Sequence, residues 1–344
     1  MNFKLLTTFE ALDLLSGPWN AILEESASHV PFLRHEYLRT WWQTLGGGEW
    51  KQADLLVVVA YEGEKIVGIA PLFFSHNRQG EPALLLVGSI EVSDYLDVIA
   101  RPEDLPAFID GLFNFLQSQN LPPWKVLDWY NLFENSPTLP AMQSAADRLG
   151  WTYSCDRLQH SPHILLPGSW EDYLAGIDKK QRHEIRRKMR RLEESGLEVR
   201  AYVVEDQEAL KAEAEAFLAL MAQDPEKAAF LSPAMREFMH SVIRCAFTAG
   251  CLQLAFLEIN GEKAAAYLNF DYLNRIWVYN SGLDRKFTEF SPGWVLLGYL
   301  LKWANEQKAV EFDFMRGDEE YKYRFGAVDR FVVRATVRRE TQNG

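Results

Sequence analysis

The sequence predicts an α/β (α+β) chain built as two tandem units, on three observations. Its 344 residues suggest two domains at about 150 residues each. A hairpin pattern occurs twice, as "LVVVAYEGEKIVGIAPLFF" at 56–74 and "LAFLEINGEKAAAYLNF" at 254–270, with "EGEK" set against "NGEK" at the turn. After each hairpin come a further strand, an amphipathic helix and a strand with Asp at its middle. In the first copy these are "YLDVIA" (95–100), a helix around 104–119 and "KVLDWYNL" (125–132). In the second they are "IWVYNS" (276–281), a helix around 292–307 and "AVEFDFMRG" (309–317). Asp128 and Asp313 thus take corresponding places, and the recurrence in order argues for duplication of one α/β unit.

Between the copies, "NSPTLP" (135–140) and "LPGSWEDYL" (166–174) are loop-rich, which puts the boundary near 165 and the domains at 1–165 and 166–344. Ser169 followed by Asp172 reads as a helix-start box. The last segment, "RFVVRATVRRE", alternates strictly: Phe331, Val333, Ala335 and Val337 face one way, Val332, Arg334, Thr336 and Arg338 the other. It reads as a half-buried strand closing the second sheet.

Composition narrows the function classes. Apolar residues at 48% and charged residues at 24% are those of a globular chain. A net charge of −12 argues against broad binding to DNA or to anionic membranes. The leading "MNFKLLTTFEALDLLSGPW" carries Lys4 alone, and Glu10 and Asp13 interrupt its apolar residues, unlike a secretion signal. No window approaches 18 uncharged apolar residues, the length of a membrane span. Cys155, Cys245 and Cys251 match neither a disulfide framework nor a metal spacing, and Pro162 keeps His160 and His163 off a shared helical face. The expectation is a reduced, cytoplasmic protein without a metal.

Several features could carry chemistry. In "EFSPGW" (289–294) Ser291 suits a helix N-cap, Pro292 the first helical position, and Gly293 close approach of another backbone. Such a start offers amides to a phosphate, or it is simply a well-capped helix. Arg285 and Lys286 precede it as phosphate partners or as solvated loop charges. In "EFDFMRGDEEYKYRFG" (311–326) Phe312 and Phe314 read as core, so Asp313 faces the opposite layer or a cleft. There it either takes a proton from an amine or accepts structural hydrogen bonds. Asp318 can cap the short helix that follows, Tyr321 and Phe325 stack at i, i+4, and Lys322 sits between Tyr321 and Tyr323.

The run "DKKQRHEIRRKMRRLEESG" (178–196) sets eight basic residues between 179 and 191 against Glu184. Arg182, Arg186 and Arg190 form one row, and Lys180, Arg187 and Arg191 another. Arg binds phosphate or carboxylate in a fork. In "VSDYLD" (92–97) Asp94 and Asp97 flank Tyr95, where they either hydrogen-bond an acceptor or cap a loop.

These landmarks together resemble the GNAT-fold acetyltransferases of the CelD-like, cellulose-biosynthesis type, which are similar in turn to the FemABX peptidyltransferases with their two GNAT domains. The resemblance is carried by "WWQTLG" (41–46), "VGIAPLFF" (67–74), "SDYLD" (93–97), the Arg-rich helix at 179–191, "SPG" (291–293) and above all "DFMRGDEEYKYRFG" (313–326). It implies two tandem GNAT-like domains, each a mixed, mostly antiparallel sheet flanked by helices. It also implies acyl transfer from acyl-CoA, acetyl-CoA included, to an amine or hydroxyl of a small polar acceptor such as a sugar or envelope precursor.

In that family the thioester arm lies between two splayed parallel strands, which here match "IWVYNS" and "AVEFDFM". Tyr279, Ser281 and Asp313 then line the reacting region. Ser291, Gly293, Trp294 and Arg285 meet the donor, and Arg316, Tyr321 and Lys322 the acceptor or the donor's charged end. Asp94, Tyr95, Arg182 and Arg186 are further substrate-binding candidates. The second domain is the donor side and the first, with "RPEDLPAF" in place of "SPG", the acceptor side. One departure stands out: "KFTEFSPGW" has a single Gly where GNAT enzymes have a Gly-rich turn. An aminoacyl-tRNA donor, or a silent tandem domain that only binds, is the alternative.

Overall fold

The structure, a computed structural model, describes residues 1–45, 50, 52–118 and 121–339. Gly46 of "WWQTLG", Gln119 of the expected first helix and Glu340 of the last segment lie outside the described residues. The chain divides into unit 1, Met1–His160 with Arg330–Gly344, and unit 2, Ser161–Asp329.

Unit 1 runs β1 (Asn2–Leu6), α1 (Phe9–Asp13), α2 (Ser16–Glu24), α3 (His35–Leu45), β2 (Asp54–Leu55), β3 (Val57–Glu62), β4 (Lys65–Ala70), β5 (Leu72–His76), β6 (Pro82–Leu86), β7 (Ile99–Ala100), α4 (Leu105–Ser118), β8 (Val126–Phe133), α5 (Thr138–Leu149) and β9 (Thr152–His160). Unit 2 runs β10 (His163–Leu165), α6 (Trp170–Gly176), α7 (Lys179–Glu193), β11 (Val199–Val203), α8 (Leu210–Met221), α9 (Pro225–Phe230), α10 (Pro233–Thr248), β12 (Leu252–Ile259), β13 (Glu262–Tyr272), β14 (Arg275–Leu283), α11 (Pro292–Glu306), β15 (Glu311–Asp313) and α12 (Glu320–Arg324). The chain then returns to unit 1 as β16 (Phe331–Arg338).

Both expected hairpins form, β3–β4 and β12–β13. The second turns on Asn260 and Gly261, both at positive φ (52 and 75). That is the geometry a two-residue hairpin needs to match strand twist. The six strands of unit 2 lie in the order β10-β15-β14-β13-β12-β11, all antiparallel neighbours except β14 and β15. α11 buries Val295, Leu297, Leu300, Leu301 and Ala304 in the core of this unit, as their helical spacing requires. α7 adds Ile185, Met189 and Leu192.

Unit 1 splits its strands between two sheets, β1-β3-β4-β7 and β2-β5-β6-β8-β16-β9. The expected strand at 95–100 is reduced to Ile99–Ala100. The residues before it are held otherwise: the Leu96 amide donates to Asn131 O at 2.9 Å, and the wholly buried Asp97 accepts from Ser28, Ser136 and the Val98 amide.

The last strand corrects the reading that it closes the second sheet. β16 lies between β8 and β9, antiparallel to both. Alternation predicts a half-buried strand but not its partner. Here Arg334 chooses it, donating to both oxygens of Asp128 at 2.7 and 2.8 Å, and Arg338 pairs with Glu81. The domain edges expected at 165 and 344 differ accordingly from the compact units. Among the described residues, no helix is long and apolar enough to cross a membrane, and no group of three or more His, Cys, Asp or Glu could hold a metal.

Candidate active site

The parallel pair of unit 2 is joined over a short stretch only. Arg275, Ile276 and Trp277 lie opposite Glu311, Phe312 and Asp313. An ion pair between Arg275 Nε and Glu311 Oε2 (3.0 Å) fastens this end. β15 stops there, whereas β14 continues to Leu283. The cause is local. Asp313 is fully buried and its Oδ1 accepts the Met315 amide at 2.7 Å, while the Phe314 amide turns to Pro162 O at 3.0 Å. Met315 then adopts φ 56 and Gly317 φ 109, bending the chain away from β14.

On the facing strand, the register jumps between Leu268–Asn280 and Asn269–Val278, so Tyr279 is the extra residue of a bulge. A bulge re-aims side chains and loosens pairing. Tyr279 stands half-buried against Phe270, ring centroids 5.3 Å apart. Ser281 is half-buried; its amide donates to Asn280 Oδ1 at 2.9 Å and its carbonyl accepts from Lys227 Nζ at 2.6 Å. Lys227 Nζ also donates to Asn280 Oδ1 at 3.0 Å. Burial lowers the pKa of Lys227, against the pull of Asp224 and Glu319.

The segment after β15 is clamped from within. Lys322, buried, donates to Arg316 O (2.9 Å) and Gly317 O (3.1 Å) and pairs with Glu319 Oε2 at 2.8 Å. An ammonium has three donors, and all three are spent here. Gly317 is required twice over: its φ is +109, and a Cβ would stand 2.5 Å from Glu319 Oε2. Tyr321 is held in its neutral form, its pKa driven well up by burial and by Tyr267 and Glu319 nearby.

The expected cap and stack of α12 are corrected. Glu319, not Asp318, occupies the N-cap position, with no side-chain cap bond. Tyr321 meets Phe314 edge-on at 6.1 Å, while Phe325 packs on Trp294 at 4.6 Å.

A 3-10 helix, Arg285–Phe290, leads from the end of β14 to the start of α11. Ser291 occupies the N-cap position at φ 52, ψ 54, but no side chain caps the first turn, its own hydroxyl included. First-turn amides have no acceptor within a helix. Trp294 Nε1 is also buried without an acceptor, and Lys188 Nζ lies 4.1 Å from the centre of its ring. Tyr267 donates to Gly293 O at 3.4 Å, and a Cβ on Gly293 would meet Leu283 at an ordinary 3.6 Å. Arg285 is exposed, whereas Lys286 is bound by Glu262. This helix start, rich in donors and open at Gly293, fits an anionic group.

Unit 2 therefore gathers Tyr279, Ser281, Arg316, Tyr321 and Lys322 about the parted strand ends, with Ser291, Gly293 and Trp294 beside them. Arg182 and Arg186 lie elsewhere in the unit. Arg182 donates to Leu174 O and Ala175 O at the end of α6, and Arg186 pairs with Glu171. The exposed face of α7 lines a shallow groove with His183, Arg186, Arg187, Arg190 and Arg191, beside Glu194. In unit 1, Tyr95 is a core ring, 1% exposed and packed on Phe133 at 4.2 Å, and Asp94 lies half-buried in a bend. Lys227 and Tyr267 carry no signal of a site in the sequence. "DPEK" at 224–227 looks like any capped short helix, and nothing in its spacing announces the reach of Lys227.

A sequence profile of the acetyltransferase (GNAT) domain family matches residues 179–323, which include both parted strands, the helix start and Lys322. Residues 179–323 therefore carry a GNAT acetyltransferase domain. No curated protein sequence matches it. Among solved structures it is similar to FemX, at 12% identity, with 97% of each chain covered and a TM-score of 0.64. It is also similar to L-PGS from Bacillus licheniformis, at 14% identity over 95% of this chain and 92% of that one, TM-score 0.56. A third is the C-terminal domain of a putative lysylphosphatidylglycerol synthetase from Agrobacterium fabrum, at 10% identity over 93% and 92%, TM-score 0.52. At such identities the likeness is one of fold.

Proposed function

We propose that this GNAT protein transfers an acyl group from acyl-CoA, acetyl-CoA included, to an amine or hydroxyl of a small polar acceptor such as a sugar or envelope precursor. One observation carries the reading: β14 and β15 pair over three residues and then part, beside a helix start that no side chain caps. An extended thioester arm fits between strands that have stopped bonding to each other, and a pyrophosphate fits the uncapped amides.

In this reading Tyr279 and Ser281 face the reacting carbonyl. The acceptor nitrogen or oxygen bonds to that carbonyl carbon, the C–S bond breaks, and the acceptor's proton leaves with the thiolate. Asp313 acts by turning the chain, since its Oδ1 holds the Met315 amide. Lys322 acts by fixing the carbonyls of Arg316 and Gly317. Gly293, Trp294 and Arg285 meet the donor's phosphates, and Arg316 and Tyr321 meet the acceptor. Catalysis of this kind rests mainly on positioning and on donors aimed at the oxyanion. We place the protein in the cytoplasm, where acyl-CoA is made and used.

A second reading keeps the transfer and changes the donor to aminoacyl-tRNA; the basic outer face of α7 favours it. The test is transfer of labelled acetyl from acetyl-CoA to a panel of amines, amino sugars and hydroxylated sugars, run beside a mixed aminoacyl-tRNA arm. Labelled product with acetyl-CoA supports the first reading. Product in the tRNA arm alone transfers support to the second, and no product in either arm leaves a protein that only binds.

A further inference from the structure

Lys227 is placed unlike every other lysine near the parted strands. It lies on α9, a six-residue helix with no fully buried member, held at its start by Asp224, which accepts the amides of Glu226 and Lys227. From there its side chain reaches in to β14 beyond the last β14–β15 pair. Its Nζ has two acceptors, Asn280 Oδ1 and Ser281 O, both uncharged.

Lys322 makes the contrast plain. Lys322 has three acceptors, one of them a carboxylate, which together take all three N–H bonds of an ammonium. Two uncharged acceptors satisfy the two N–H bonds of a neutral amine and leave its lone pair unengaged. Burial favours that neutral form. The charged groups that bear on Lys227 are Asp224 and Glu319, which oppose its neutralisation, and Lys322, which assists it.

We infer that Lys227 is a self-acylation site, at which the chain takes the acyl group of its own donor onto Nζ. This rests on the acyl-CoA reading above. The lone pair of Nζ attacks the thioester carbonyl carbon, an N–C bond forms and the C–S bond breaks. The proton that Nζ loses neutralises the departing thiolate, so the products are an amide on Lys227 and free CoA thiol. The amide keeps one N–H for Ser281 O or Asn280 Oδ1, and its acyl group fills the gap beside Ser281. An acylated chain therefore has a blocked donor cleft, and slow modification in the absence of acceptor would limit the enzyme's own activity.

The experiment uses the full chain, with acetyl-CoA in one arm and acetyl phosphate in the other. Modified lysines are mapped by peptide mass spectrometry, and acetyl-CoA binding is measured by calorimetry on the same preparation. In the acetyl-CoA arm, acetylation of Lys227 should run about tenfold or more ahead of the exposed Lys286 and Lys302, as positioning beside the thioester demands. Free CoA should protect it, and the acetyl phosphate arm should show no such preference. Lys227→Arg, which keeps donors for both acceptors, should bind acetyl-CoA and gain no label on the peptide spanning 227. If acetyl-CoA binds but Lys227 is labelled no faster than the surface lysines, the self-acylation site is refuted and the donor reading stands. If acetyl-CoA does not bind at all, both fall.

Discussion

Arg334 and Asp128 form a two-pronged ion pair, Nε to Oδ1 at 2.7 Å and Nη2 to Oδ2 at 2.8 Å, with Asp128 wholly buried. The pair fastens the last strand of the chain to β8. Asp128 also accepts from Asn77 Nδ2 at 2.9 Å, so three donors surround it. Replacing Arg334 by Met strands a buried carboxylate, which costs about 3 kcal/mol. Urea unfolding should show that loss, and Asp128→Asn with Arg334→Met together should lose less than Arg334→Met alone. A single variant as stable as the parent contradicts the pair's holding role.

Lys322→Met leaves the carbonyls of Arg316 and Gly317 and the carboxylate of Glu319 without their shared donor. The expected loss is about 2 kcal/mol, read as a lowered midpoint in thermal unfolding. An unchanged midpoint would mean that the ammonium does not hold this segment.

Gly317 and Gly293 make a paired test. Ala at 317 must hold a positive φ of 109 with Cβ 2.5 Å from Glu319 Oε2, a strain of about 1–3 kcal/mol. Ala at 293 meets Leu283 at 3.6 Å and keeps an ordinary helical conformation. Gly293→Ala should therefore fold as well as the parent yet bind acetyl-CoA about tenfold more weakly, a difference of roughly 1.4 kcal/mol by calorimetry. Equal affinity in Gly293→Ala would remove the helix start from the donor site.

Asp97 predicts a pH dependence. Burial raises its pKa above the ordinary 3.8, against the hydrogen bonds from Ser136 and Ser28 that lower it. The folded chain thus holds this proton more tightly than the unfolded chain. Its contribution to stability is fully present below the ordinary value and is lost as pH rises through the folded value. The unfolding free energy of the parent minus that of Asp97→Asn should therefore fall as pH rises from about 3.8. A difference that rises with pH over that window would show the carboxylate to be stabilised, not penalised, by its site.

Much of this architecture is legible in the sequence because it is local. The hairpins announce themselves in alternation and in the Asn260–Gly261 turn, and the buried stripe of α7 in the spacing of Ile185, Met189 and Leu192. Strand pairing is not local. Nothing in "RFVVRATVR" says that Arg334 will meet Asp128 rather than an acid of the other copy. The site divides the same way. The Ser-Pro-Gly helix start is local, so Gly293 is legible in the residues themselves, whereas Tyr279 and Ser281 come only from the family resemblance. What each polar side chain reaches is not legible. Lys322 turns its three donors onto its own loop, Asp313 holds a backbone amide, and Lys227 crosses from another helix to Ser281.

The central claim is that the gap between β14 and β15 receives acyl-CoA. The most direct measurement is the unfolding temperature of the purified chain titrated with acetyl-CoA and longer acyl-CoAs, beside a tRNA fraction. Acyl-CoA at 100 times its dissociation constant adds about 2.7 kcal/mol. For a domain of 150–250 residues that corresponds to a rise of roughly 5 to 11 °C. The account predicts a concentration-dependent rise of that size with acyl-CoA and none with tRNA. No rise with any acyl-CoA would contradict it.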